Sequence, residues 1–207
     1  MARSYRQAAR ADSADQTRGE ILNALEARLR AQPALPLSVD LVAKDAGVAR
    51  STVYSVFGSK AGLFEAFVTQ LYARAGLDRL AEAVRVRDAR LHLRAGIRAA
   101  SELFAADLTV FRTLFAMSAL DAQSVGGALA AMEENRRGGM EHLVTRLAED
   151  GVLRKNVPRS QAVTILWMLC SFEAFDRVYQ ECGQDVAATA ELLSEVAERA
   201  VCADGRN

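Results

Sequence analysis

Residues 38–57 read SVDLVAKDAGVARSTVYSVF, and the spacing within this stretch decides the fold. Ser38 stands before a short run of helical period, Val39–Ala46, whose first turn carries Asp40. A hydroxyl at a helix start satisfies an orphan N–H, and an acid there meets the positive helix end. Gly47 closes the run, because glycine takes the left-handed backbone of a sharp turn without steric penalty. A second short helix is predicted over Arg50–Phe57, ended by Gly58, after which Ser59 caps a helix running to about Leu77. Val42, Ala43 and Ala46 face inward on the first helix, Val48 plugs the turn, and Val53 and Phe57 face inward on the second. Two short helices held at a steep angle leave the start of the second exposed. That is a helix-turn-helix, whose second helix enters the DNA major groove by its N-terminal residues.

The side chains left outside suit that task. Arg50 can reach guanine O6/N7 or a phosphate, and Ser51 and Thr52 are short hydroxyls able to touch base or backbone. Tyr54 and Lys60 can hydrogen-bond phosphate oxygens, and Ser38 can join the free N–H groups of its helix start in holding one. Ser55 completes the candidate DNA-contact set. Each has a plainer role alone: Ser38 and Ser59 as caps, Tyr54 as a half-buried aromatic, Lys60 as a solvated lysine. The whole string, between a helix before and a capped helix after, points to DNA.

Moving outward, a first helix is expected over Ala14–Leu29, with Ile21, Leu22, Leu25 and Leu29 as its apolar stripe and Ser13 with Gln16 as a capping box. Residues 1–13 are basic, lack an apolar segment behind them, and read as a flexible arm rather than a secretory signal. Pro33 and Pro36 break the chain between this helix and the motif.

The longer string LVAKDAGVARSTVYSVFGSKAGLFEAFV, residues 41–68, closely resembles the signature of the tetracycline-repressor (TetR) family of bacterial regulators. The resemblance is carried by Ala43, Gly47-Val48, Thr52-Val53-Tyr54, Phe57, Ser59-Lys60 and Leu63, and extends to about residues 15–75. It implies an all-α homodimer with one DNA-binding head per subunit and a C-terminal regulatory body, and phosphate contacts by Tyr54 and Lys60. Four positions depart from the pattern. Ala49 replaces the usual Ser/Thr cap, a loss of about 1 kcal/mol for that helix. Ser55 and Gly58 stand where the family often has an aromatic or His and a Pro or Ala, and Gly62 stands where a better helix former is expected.

The fold expected is therefore all-α: an arm at 1–13, a DNA-binding domain at 14–75, and a ligand-binding and dimerising body at 76–207. Composition agrees, with 51% apolar residues and only three prolines. Helical patterns cover about 78–105, 108–122, 128–150, 160–181 and 185–202, with breaks near Asp107, Gly126-Gly127, Gly151–Pro158 and Gly183. Gly138-Gly139 inside one of these marks either a kink beside a pocket or a loop. The last two helices are apolar nearly all round, which requires burial on more than one side. A four-helix contact between two subunits supplies it, and Leu166, Leu169, Leu192, Leu193 and Val196 are the candidate dimer residues. Such a dimer sets two recognition helices about one DNA turn apart and predicts a palindromic operator. Phe104, Phe111, Phe115, Met117 and Met132, with Trp167, Met168 and Phe172, are candidates for lining an apolar ligand cavity, core packing being the plainer role of each.

The chain's formal net charge is zero, but residues 1–75 carry ten basic and seven acidic side chains, the sign expected of a part that meets phosphate. Overall neutrality argues against a non-specific DNA binder. The three cysteines, Cys170, Cys182 and Cys202, lack disulfide or zinc spacing, and His92 and His142 stand apart from any metal pattern. No cofactor or metal is expected, and no nucleophile–base set or phosphate loop points to an enzyme. No apolar run is long enough to span a bilayer, and a cytoplasmic location is expected. The reading is a ligand-responsive repressor. Its alternative is a helical ligand carrier or enzyme with an incidental helix-turn-helix.

Overall fold

The computed structural model describes residues 2–31 and 37–203, with side chains from Ser13 onward. Eleven α-helices appear among them: α1 (Ala2–Ala31), α2 (Val39–Asp45), α3 (Arg50–Phe57), α4 (Lys60–Ala75), α5 (Leu77–Val84), α6 (Ala89–Ala106), α7 (Leu108–Leu120), α8 (Gly127–Glu149), α9 (Arg159–Leu169), α10 (Phe172–Glu181) and α11 (Val186–Val201). The one β contact described is an isolated antiparallel bridge between Leu153 and Cys202. No single helix among the described residues is long and apolar enough to cross a membrane.

The chain divides into two compact units, Met1–Thr69 with Thr109–Leu129, and Gln70–Leu108 with Ala130–Asn207. Residues 109–129 thus group with the head, where the sequence reading assigns everything after residue 75 to one body. Three features of that segment explain it. Val110, Phe111, Leu114 and Met117 of α7 are buried. Thr113 donates its hydroxyl to the Leu29 carbonyl at 3.1 Å. Asp121 accepts a hydrogen bond from Lys60 Nζ at 2.7 Å.

In the first unit, α1 starts at Ala2, so the backbone is helical through the segment read as an arm. Its Ala, Arg and Gln residues favour a helix, with no Gly or Pro to stop it. Ser13 accordingly sits inside the helix and is not its cap; its carbonyl accepts from Thr17. The break expected at Gln32–Pro36 lies outside the described residues. Ile21, Leu22, Leu25 and Leu29 are all buried, as their spacing predicts.

The turn between α2 and α3 forms as read. Ser38 Oγ accepts from Asp40 N at 3.2 Å. Gly47 adopts φ +67°, and Val48 N reaches back to the Ala43 carbonyl at 3.0 Å. Gly62, an apparent weakness in α4, has a steric cause: a Cβ there would collide with the Phe57 carbonyl oxygen, a backbone atom that cannot swing away. Gly62→Ala is therefore expected to destabilise the fold by about 1–3 kcal/mol despite alanine's better helix propensity. Urea unfolding measures it, and equal or greater stability of the variant would contradict the packing argument.

In the second unit, two expected helices are broken. The 78–105 pattern divides into α5 and α6, because Asp88 caps α6 by accepting from Leu91 N at 2.8 Å. Arg146 of α8 also clamps that break: it donates to the carbonyls of Val84 (3.1 Å) and Val86 (2.7 Å), and to that of Arg87. The 160–181 pattern divides at Ser171, whose hydroxyl caps α10 through Ala174 N at 3.1 Å. The break expected at Gly126-Gly127 is where α8 begins; the interruption opens earlier, at Asp121, which accepts from Ser124 N at 3.0 Å ahead of a π-turn at Ala122–Gly126. Gly138 and Gly139 lie within α8, which continues through them. The core joins α6, α8, α9 and α11 through Leu93, Ile97, Leu143, Leu147, Leu166 and Leu193. Arg94 fastens α6 to α11 by forking onto both oxygens of Glu198, at 2.8 and 2.9 Å, and reaching Glu191 at 2.8 Å.

Candidate nucleic-acid interface and ligand cavity

Helix α3 is held from below and left open above. Val53 is buried and Phe57 half-buried, and the Arg18 guanidinium lies 4.8 Å from the Phe57 ring centroid. Arg28 of α1 pairs with Asp45 of α2 at 2.5 Å. Ala49 makes no side-chain cap bond, so the first N–H groups of α3 lack the partner that a Ser or Thr cap would supply.

Six of the seven sequence-derived contacts cluster on this head surface or its edge. Arg50, Ser51 and Ser55 are exposed; Ser38, Thr52 and Tyr54 are half-buried. The Arg50 guanidinium donates to Tyr54 Oη at 3.3 Å and to Asp40 Oδ2 at 3.1 Å, contacts that raise its pKa, Tyr54 first. Lys60 differs, because its ammonium is held by Asp121. The Lys60 bond, ahead of the Ser124 amide, holds the Asp121 pKa below the ordinary carboxylate value. The sequence reading missed Asp40, Arg18 and Asp121 as partners. Asp40 was legible at its helix start, but Asp121 lies 61 residues from Lys60 and no local pattern links them.

The second unit contains a cavity of about 380 Å³. Leu77, Leu80 and Val84 of α5, Leu93, Ile97, Leu103 and Phe104 of α6, and Met132, Met140 and Leu143 of α8 form its apolar wall. The polar lining is sparse: Tyr72, His92, Glu133, Asn135 and Arg136. Of the aromatic and methionine candidates, Phe104 and Met132 line it and the others do not. Phe172 lies behind the wall, edge-on to Phe104 at 5.4 Å between centroids. Trp167 is covered by the Arg136 guanidinium at 5.2 Å, while Met168 faces outward, 57% exposed. Phe111 and Phe115 belong to the first unit. The stripe Leu93, Gly96, Ile97, Ala100, Leu103, Phe104 is a visible helical repeat; hydrophobicity alone does not tell a cavity wall from a packed core.

Burial, then Arg146 and His142, push the His92 pKa from its ordinary 6.5 down to about 4. The folded state therefore binds fewer protons than the unfolded chain between those values. Stability is expected to fall as pH drops through that window and to level off below it. Urea midpoints across the range test this, and an acid slope no smaller in His92→Phe would refute it.

The candidate dimer residues separate. Leu166 and Leu193 are buried in their own unit's core, which removes them from any external face, whereas Leu192 and Val196 are 44% and 40% exposed and Leu169 is half-buried. No group of three or more His, Cys, Asp or Glu side chains that could hold a metal occurs among the described residues.

Residues 21–67 match the family model described as bacterial regulatory proteins, tetR family. The helix-turn-helix segment is thus of the tetR type. A search of curated proteins returned no match. Solved structures extend the TetR fold over the body. A TetR transcription regulator from Haloarcula marismortui is 17% identical with a TM-score of 0.70, covering 91% of this chain and 100% of its own. NalD from Pseudomonas aeruginosa, the secondary repressor of the MexAB-OprM multidrug efflux pump, is 21% identical with a TM-score of 0.70, over 94% and 100% of the two chains. SmeT, the repressor of the Stenotrophomonas maltophilia efflux pump SmeDEF, has a TM-score of 0.70 in its triclosan complex, at 19% identity over 92% and 93%. At these identities the neighbours establish the fold of the chain and neither its role nor its ligand.

Proposed function

We propose that this chain is a transcription regulator of the TetR type, a repressor that binds a palindromic operator as a homodimer and is released by a largely apolar small molecule. The apolar cavity of the second unit carries this reading, because a chain that only bound DNA would have no use for it. Arg50, Ser51, Thr52 and Ser55 read the major groove, and Ser38, Tyr54 and Lys60 hold phosphates. The exposed Met168, Leu192 and Val196 supply an apolar face for a second copy. The ligand acts only through its unequal affinity for the DNA-bound and released conformations. SmeT, which forms a complex with triclosan, and NalD are repressors of the same fold, and they favour repression over activation. A footprint on the DNA flanking the protein's own gene tests the reading. Two protected half-sites with centres about one helical turn apart, or a whole number of turns, are expected. Protection of a single half-site, or none, would contradict it.

A further inference from the structure

We propose that the cavity selects an uncharged, largely apolar molecule that presents one hydrogen-bond acceptor to His92 Nε2, and that it rejects anions and cations alike. This rests on reading the cavity as the regulator's ligand site.

The wall contains two formally charged side chains, and they cancel. Arg136 Nε donates to Glu133 Oε1 at 3.2 Å, and a second nitrogen donates to Glu133 Oε2. The third nitrogen donates to the Trp167 carbonyl, and the guanidinium lies over the Trp167 indole. The fork is thereby engaged on every nitrogen, and its charge is matched by the neighbour one helical turn away. An ammonium entering the cavity would meet a carboxylate already neutralised; a carboxylate would meet a guanidinium already occupied. Either would surrender its water for an apolar wall with no counter-ion, which is unfavourable.

His92 has the opposite character. Arg146 lies 3.0 Å from its Nδ1. A guanidinium has only N–H groups to offer, so Nδ1 must accept. The ring is then neutral with its proton on Nε2, in keeping with its lowered pKa. Nε2 makes no hydrogen bond to the described residues, and the ring lines the cavity. A fixed, uncharged donor on an apolar wall is the recognition element for a carbonyl, ether or hydroxyl oxygen on an otherwise apolar body. Arg146 also clamps the α5–α6 break, so the ring is oriented by the groups that hold the wall together.

Three probes with the same ten-carbon chain separate the possibilities by calorimetry at neutral pH: 1-decanol, decanoate and decyltrimethylammonium. Decanol is expected to bind at least about tenfold tighter than either ion. His92→Phe should weaken decanol roughly three- to tenfold, the worth of one neutral hydrogen bond. His92→Gln, whose amide can accept from Arg146 and still donate, should restore most of that loss; it also guards against a phenylalanine variant that fails to fold. An ion that binds as well as decanol, decanol binding that ignores His92→Phe, or failure of all three probes to bind would each overturn the proposal. Operator binding by the same preparation is scored separately. A protein that shifts DNA but ignores decanol refutes the ligand class alone; one that binds decanol but no DNA refutes the regulator reading.

Discussion

Replacing Arg50 by alanine is expected to weaken operator binding roughly ten- to a hundredfold and to relax the sequence preference at one position of each half-site. The side chain leaves the open end of α3, and its partners Asp40 and Tyr54 hold it there as a charged group without burying it. Lys60→Ala should behave differently. A phosphate contact carries no base information, so affinity should drop about equally on operator and unrelated DNA, and the salt slope should shrink by about one for each subunit. Lys60 must leave Asp121 to reach DNA. Asp121→Asn keeps the acceptor for Ser124 N while removing the competing charge, and should tighten binding by a few fold. Titrations of the three variants on two DNAs at several salt concentrations separate these effects. Equal affinity of Arg50→Ala and the parent for operator would remove α3 from the interface.

The second large effect is expected at Gly96. This residue lines the cavity from the middle of α6, and a Cβ built on it meets nothing within 4 Å. Gly96→Phe should fill the space without a backbone clash and abolish ligand binding, with a loss of a hundredfold or more. Helix propensity favours the substitution as well, and Gly96→Ala alone should stabilise by about 0.5–1 kcal/mol. The variant should still bind operator and become insensitive to ligand. Calorimetry with decanol beside a DNA titration measures both halves. Undiminished decanol binding in Gly96→Phe would place the ligand elsewhere.

The head was legible because its information is local. Ser38, Gly47, Gly58 and Ser59 cap or turn the chain within four residues of their partners, and the inward set at Val42, Ala43 and Val53 follows from period alone. Gly62 was visible but misread as weakness, since the carbonyl it must avoid is defined only once α3 and α4 meet. Long-range pairings were not legible: Lys60 with Asp121, Arg94 with Glu198, Arg146 with the α5–α6 break. Each joins residues more than fifty positions apart. In the body, Leu166 and Leu193 carry the same sequence signal as Leu192 and Val196. The first two face their own core and the last two face out, because hydrophobicity does not say which side of an all-apolar helix meets which neighbour. His92 stands in the sequence only as a histidine apart from any metal pattern; that Arg146 holds its Nδ1 and that the residue lines a cavity have no sequence signature.

The most direct test of the account is a fluorescence-anisotropy titration of the purified protein on DNA from beside its own gene, at two salt concentrations, with unrelated DNA in large excess. A saturable complex that survives the competitor and weakens as salt rises is expected. Binding that the competitor abolishes at both salt concentrations would contradict it.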